Sequence, residues 1–152
     1  MPELIMLCGI PTSGKSTFSK DKKYKDYVRI SSDDILDEIA KKQEKSYSAV
    51  FQKNIKLAQR AMLIVLRNAI KNGKNIIWDQ TNTTAKIRME KLGMVPKNYT
   101  KKAVWFGVSL KEALIRNTKR DGKVIPPDVI ERMHKEFEIP STKEGFDEVE
   151  QG

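Results

Sequence analysis

Residues Gly9 to Ser16 read GIPTSGKS, a G-x-x-x-x-G-K-S spacing in which every fixed residue serves one ligand chemistry. Glycines at 9 and 14 let the backbone curl so that successive N–H groups converge on phosphate oxygens. Lys15 brings a cation to the β- and γ-phosphates, and Ser16 offers a hydroxyl to Mg²⁺. A helix opening at Gly14 directs its positive end at the same anion. The expectation is an ATP and Mg²⁺ loop over Gly9–Thr17, with Gly9, Ser13, Gly14, Lys15, Ser16 and Thr17 around the nucleotide. A chance match is the alternative, but an apolar run lies directly before the motif and a helical pattern directly after it.

Three further groups could do chemistry beside that loop. Asp33 and Asp34 follow the second apolar run, at the start of a helix. There an aspartate can accept a proton from an acceptor hydroxyl during phosphoryl transfer, or simply complement the helix dipole. Asp79 ends the third apolar run, the usual place for an acid on the Mg²⁺ side; a loop-capping aspartate is the other reading. Arg116 and Arg120 are four apart and share a helical face. They either grip a transferring phosphate or complement the helix C-terminus.

Positioning these groups requires strands and helices in alternation, which implies an α/β fold with a mostly parallel sheet of four to five strands. Leu4–Cys8 reads as a buried central strand. Tyr27–Ile30, Asn75–Trp78 and Ala103–Phe106 are the next three, with Phe146–Val149 as an edge strand. Ser31 or Ser32 caps a helix carrying Ile35, Leu36, Ile39 and Ala40. The spacing predicts a long helix over Ser48–Asn72, with Phe51, Ile55, Ala58, Met62, Val65 and Ala69 on its apolar face and Gly73 just past its end. A shorter helix spans Thr84–Leu92. Ser109 with Glu112 forms a capping box and opens a helix to about Lys119. Asp121-Gly122 breaks it, so residues 116–128 read as a mobile lid. Pro126-Pro127 starts a last helix with Val129, Ile130, Met133 and Phe137 inward.

Composition narrows the field. The chain has 152 residues, enough for one domain with its own core. With 29 Lys and Arg against 20 Asp and Glu, the net charge of +9 favours a polyanionic partner. One cysteine, Cys8, and one histidine, His134, exclude a disulfide framework and a Cys/His metal centre. The longest apolar run, Ala61–Leu66, is far short of the ~20 residues that span a bilayer. The first residues lack the basic flank of a secretion signal. The expectation is a soluble, cytoplasmic chain with no membrane partner, and no exposed apolar stripe states its oligomeric form.

Taken in order, GIPTSGKST, RISSDD, GKNIIWDQTN, IRNTKR and MHKEFEIPSTKEGFDEV resemble the kinase domain of polynucleotide 5′-hydroxyl kinases over nearly the whole chain. The resemblance implies a P-loop kinase fold with a helical lid, and transfer of the γ-phosphate of ATP to the 5′-OH of DNA or RNA. It implies Asp33 as the general base and Lys15 and Ser16 on ATP and Mg²⁺. Arg116 and Arg120 become lid residues on the phosphates, with Arg120 touching the nucleotide, and Asp79 the acid beside the metal. Thr81 is implied at the acceptor's phosphate, with Arg88 also on the acceptor side.

The sequence departs from that pattern in places. Leu36 stands where phage members carry an arginine three residues after the base, Ser32 stands where arginine commonly precedes it, and Thr12 replaces a loop glycine. No Asp-x-Asp-x-Thr phosphatase motif occurs, so no 3′-phosphatase activity is expected. Two other readings keep a place. One is a kinase of a nucleoside, nucleotide or metabolite, favoured by Leu36. The other is a nucleotide-binding, RNA-associated regulatory module, opposed by Asp33 and the paired arginines.

Overall fold

The Leu4–Cys8 run lies at the centre of the sheet, where both faces of a strand are covered. The computed structural model describes residues 1–152. β1 (Glu3–Cys8) runs between β3 (Ile76–Asp79) and β4 (Thr100–Trp105), and β2 (Val28–Ile30) and β5 (Glu148–Gln151) form the two edges. Every neighbouring pair is parallel. Six helices connect and cover the strands: α1 (Lys15–Ser19), α2 (Ser32–Lys42), α3 (Tyr47–Lys71), α4 (Ala85–Leu92), α5 (Leu110–Thr118) and α6 (Pro127–Glu136). The chain thus has the expected α/β architecture, with five strands.

Alternation along β1 divides its apolar side chains between two layers. Leu4, Met6 and Cys8 join Ile30, Ile76 and Trp78 under Met62, Leu66 and Ala69 of α3. Ile5 and Leu7 join Ile77, Val104 and Phe106 on the opposite face, where Phe18, Tyr24 and Tyr27 close the layer. Each fully buried side chain of this size contributes about 1.5–3 kcal/mol through apolar burial. A third cluster of Ile10, Ala113 and Ile130 seats the phosphate loop on α5 and α6.

Several local features differ from the sequence reading. The buried stripe of α3 runs through Ala58, Met62, Leu66 and Ala69, centred on Leu66 rather than on Val65 beside it. Val65 is 39% exposed, and Phe51 turns outward to stack on Tyr47 with ring centroids 5.7 Å apart. The last strand begins two residues later than expected. Phe146 is consumed as a core side chain, and Asp147 Oδ2 accepts from the Lys101 amide at 2.8 Å before pairing begins. At α5 half of the capping box forms: Ser109 Oγ accepts from the Glu112 amide, but the Glu112 carboxylate turns to Arg116 at 3.0 Å. The full box is at Ser141 and Glu144.

In the order β2-β3-β1-β4-β5 the chain leaves β1 toward one side and crosses to the other at β4. Such a switch point opens a crevice at the carboxyl ends of the strands. The loops after β1, β2 and β3 meet there.

Candidate active site

The loop after β1 carries the phosphate motif, and its two glycines are required for different reasons. A Cβ at Gly9 would lie 2.5 Å from Ser13 Oγ and 3.2 Å from Phe106 Cβ, so close approach demands glycine there. Gly14 has φ +107, a left-handed conformation that costs an L side chain strain. The loop is pinned at its base: the Gly9 amide donates to the Thr81 carbonyl at 2.8 Å, and the Phe106 amide to the Cys8 carbonyl at 2.8 Å.

Lys15 is buried, and its ammonium donates to the carbonyls of Gly9 (2.7 Å) and Ile10 (2.9 Å). Burial lowers its pKa to about 8, while the carboxylates of Asp79 and Asp33 pull it upward. Both acids therefore act on the same ammonium, from the ends of two different strands. Ser16 and Thr17 are exposed at the first turn of α1, and Ser13 is buried with its Oγ unpartnered.

Asp33 stands in the first turn of α2, whose amino end is capped by Ser31 Oγ accepting from the Asp34 amide. Asp33 is exposed, and its Oδ1 accepts from the Tyr47 hydroxyl at 2.6 Å. Burial and the Asp33 carboxylate push the Tyr47 pKa upward, so Tyr47 remains a donor. Asp34 points elsewhere, 3.4 Å from Arg29 Nε.

Asp79 is buried, and its Oδ2 accepts from Arg29 Nη2 at 2.8 Å and Ser19 Oγ at 3.0 Å. Both contacts use one oxygen, and Oδ1 makes neither of them. Arg29, Ser19 and Tyr47 have no place in the sequence reading. A charged residue inside an otherwise apolar strand was the available signal for Arg29, since a buried guanidinium needs an anion. Nothing local marks Tyr47, whose role depends on α3 crossing α2.

The lid arginines divide. Arg116 pairs with Glu112 and donates from Nη1 to the Thr12 carbonyl at 2.9 Å, so it holds the rim of the phosphate loop. Arg120 has a buried Nη1 with no partner; its positive charge adds to the downward push on Lys15 and partly offsets the upward push on Tyr47. It is the arginine of the pair whose charge is felt at Lys15 and Tyr47. The segment between the last two helices is closed against α2 and α3. The amide and hydroxyl of Ser48 both donate to the Gly122 carbonyl, at 3.0 and 2.9 Å. Lys123 pairs with Asp37 at 2.7 Å and lies 5.1 Å over the Tyr47 ring.

Arg88 is a correction. It is fully buried, its Nε and Nη2 engage both oxygens of Glu144 at 2.6 and 3.0 Å, and its Nη1 donates to the Asn82 carbonyl at 2.9 Å. All three nitrogens are committed to the fold, so the guanidinium reaches no acceptor. It supports the segment after β3, where Asn82 adopts φ +45 and donates to the Leu7 carbonyl at 2.7 Å. Thr81, one residue earlier, sits beside Gly9 and stays on the crevice.

Two of the departures acquire physical content. Leu36 is fully buried, so this position of α2 faces the core and offers nothing to the crevice. Thr12 adopts φ +72, the conformation a glycine would take without strain, and its hydroxyl donates weakly to the Ala113 carbonyl at 3.4 Å. Cys8 is buried and its thiol is pushed up to about 12, which leaves it inert. No helix is long and apolar enough to cross a membrane.

A curled backbone, a buried lysine on carbonyls, and unpartnered polar atoms at Ser13 and Arg120 suit a triphosphate with its metal. Ser16 and the free oxygen of Asp79 are the groups that would face Mg²⁺.

Comparison with known proteins gives the same architecture. The chain is 29% identical over 153 residues to the L-seryl-tRNA(Sec) kinase of Methanococcus maripaludis, covering 95% of this chain and 56% of that protein. It thus spans about half the length of this curated relative. A solved structure of the Pnkp1/Rnl/Hen1 RNA repair complex aligns with TM-score 0.67 and 28% identity, over 96% of this chain and 46% of that one. A 1.70 Å crystal structure from Chloroflexus aurantiacus J-10-fl aligns with TM-score 0.74 and 16% identity, over 99% and 84% of the two chains, and supports the fold alone. Residues 4–140 match the AAA_33 model, an AAA domain, and the chain belongs to this P-loop kinase family.

Proposed function

We propose that the protein is an ATP-dependent kinase that phosphorylates the 5′-hydroxyl of a nucleic acid, with Asp33 as general base. The observation that carries this reading is the arrangement of Asp33, held by Tyr47, with its charge on Lys15 and Arg120 beside both. A base, a phosphate-binding lysine and a free guanidinium then surround one crevice.

In this reading the loop amides and Lys15 hold the β- and γ-phosphates of ATP. The 5′-oxygen attacks the γ-phosphorus in line, its proton passes to the Asp33 carboxylate, and ADP leaves. Tyr47 fixes the carboxylate by donating to Oδ1, leaving Oδ2 for the acceptor. Lys15 and Arg120 stabilise charge on the transferring group; Arg116 acts through the loop carbonyl it holds. Mg²⁺, when bound at Ser16 and Asp79, supplies further neutralisation of the phosphate oxygens.

The RNA repair complex supports a polynucleotide acceptor, and the +9 charge suits one. The seryl-tRNA(Sec) kinase relative and the buried Leu36 favour a second reading, a different hydroxyl acceptor served by the same ATP machinery. An acceptor screen separates them. Labelled γ-phosphate should appear on 5′-OH oligonucleotides; label on free nucleosides or an aminoacyl hydroxyl, with none on oligonucleotides, would favour the second.

A further inference from the structure

The residues between α5 and α6 form a loop closed at its base by one side chain. Asn117 is buried, its Nδ2 donates to the Ile125 carbonyl at 2.6 Å, and its Oδ1 accepts from the Ile125 amide at 3.0 Å. The span 117–125 is therefore pinned at both ends, and Gly122-Lys123 lies at its tip.

That tip rests on the amino end of α3, where three successive residues meet it. A Cβ at Gly122 would lie 3.2 Å from Ser46 Cβ, so the backbone comes close there, and Gly122 has the left-handed φ of +67. A helix supplies no partner for the amides of its first turn. For Ser48 the Gly122 carbonyl does so, at 3.0 Å. Between these two serines, the Tyr47 ring lies 5.1 Å beneath the Lys123 ammonium.

The contact continues into α2. Asp33 and Asp37 are four apart and share one face of that helix. Asp37 Oδ2 accepts from Lys123 Nζ at 2.7 Å, and Asp33 Oδ1 accepts from the Tyr47 hydroxyl at 2.6 Å. The two donors touch each other. Tyr47 is thus fixed at its hydroxyl by Asp33 and over its face by an ammonium that is itself tied to α2. The side chains of Lys123 and Asp37 are 32% and 43% exposed. A cation over a tyrosine at such a site is worth about two- to fivefold in an equilibrium.

We infer that Lys123 is a positioning residue: docked on the amino end of α3, it holds the Tyr47 ring where the hydroxyl fixes the Asp33 carboxylate. This inference rests on the proposed role of Asp33 as the base. The same loop carries Arg120, whose charge is felt at Lys15 and Tyr47, so one docked position serves the phosphate side and the base side together.

The test is the kinetics of Lys123→Met, alone and in a Tyr47→Phe background, on the acceptor that the screen identifies. In the single variant kcat should fall about two- to fivefold with the KM for ATP unchanged. Lys123→Arg keeps the carboxylate pair and stacks on the ring, so it should restore kcat. In the Tyr47→Phe background there is no hydroxyl to aim, and Lys123→Met should change kcat by less than about 1.5-fold. Loss of a charge near the phosphates would act whether or not residue 47 carries a hydroxyl. An equal fall in both backgrounds, a raised KM for ATP, or an unchanged kcat in the single variant therefore overturns the inference. Hydrogen exchange at the Ser48 amide, measured without nucleotide, reads the docked loop independently of activity. It should be at least about twofold faster in Lys123→Met than in wild type, and equal rates overturn docking through Lys123. If oligonucleotides are phosphorylated and kcat ignores Lys123, the positioning role fails and the proposed function stands. If only another hydroxyl acceptor is phosphorylated, the proposed function fails, and the same cycle on that acceptor decides the positioning role.

Discussion

Replacing Arg88 with Met tests whether this guanidinium holds the fold or the substrate. The Arg88 side chain is 0% exposed and that of Glu144 is 8% exposed, and the pair makes two hydrogen bonds, at 2.6 and 3.0 Å. Arg88→Met keeps the bulk but strands the Glu144 carboxylate, which retains only the Ser141 amide at 3.0 Å, and removes a donor from the Asn82 carbonyl. Breaking a buried pair from one side costs about 3–5 kcal/mol. At roughly 2–4 °C per kcal/mol for a chain of this size, Tm should fall by roughly 6–20 °C. The double variant Arg88→Met/Glu144→Leu removes both charges and should recover most of the loss, because an apolar replacement of a buried pair is often neutral. Thermal and urea unfolding of the single and double variants read this directly. A single variant within about 1 kcal/mol of wild type, with acceptor binding lost, would refute the structural role and return Arg88 to the substrate.

Three other outcomes follow from the site. Lys15 has a pKa of about 8, so its charge is lost in the free protein as pH rises through 8. Bound phosphates favour the ammonium, so nucleotide binding above pH 8 should take up a proton and weaken with pH. Calorimetry in two buffers of different ionisation enthalpy checks this, and pH-independent binding from about pH 7 to 9 would contradict it. The same shift makes the group's contribution to stability rise from pH 8 toward its unfolded value of 10.5, because the unfolded chain then holds the extra proton. Thr12→Gly relieves a left-handed β-branched residue worth about 1–3 kcal/mol, against about 0.5–1 kcal/mol of added chain entropy. A small net gain in urea midpoint is expected, and a loss above about 1 kcal/mol would mean that the Ala113 contact matters more than the strain. Tyr47→Phe removes the 2.6 Å donor from Asp33 and should lower kcat about tenfold with the KM for ATP unchanged; an unchanged kcat would remove Tyr47 from the positioning of the base.

Local chemistry was legible wherever it is written in contiguous residues. The phosphate loop, a capping serine at 31 or 32 and another at 109, and the apolar runs of β1 and β3 each depend on neighbours in sequence. What could not be read depends on which elements meet. Arg88 looks like an available cation until Glu144 folds over it from 56 residues away. Tyr47 gains a role only where α3 crosses α2, and Leu36 turns inward because α2 packs on α3. Val65 and Leu66 are equally apolar, so periodicity alone could not choose which one the sheet buries. Asp79 was marked as the acid beside the metal, but the arginine and serine that share its oxygen come from β2 and α1.

The most direct measurement of the central claim is transfer of labelled γ-phosphate to a 5′-OH oligonucleotide by wild type and Asp33→Asn. Asparagine preserves the shape of Asp33 but cannot take the proton. The rate should fall by about 10²–10⁴-fold, while ATP binding, held by Lys15 and the loop amides, stays near wild type. Wild-type transfer by Asp33→Asn would contradict the assignment of the base. Absence of any transfer by the wild-type protein would contradict the polynucleotide acceptor itself.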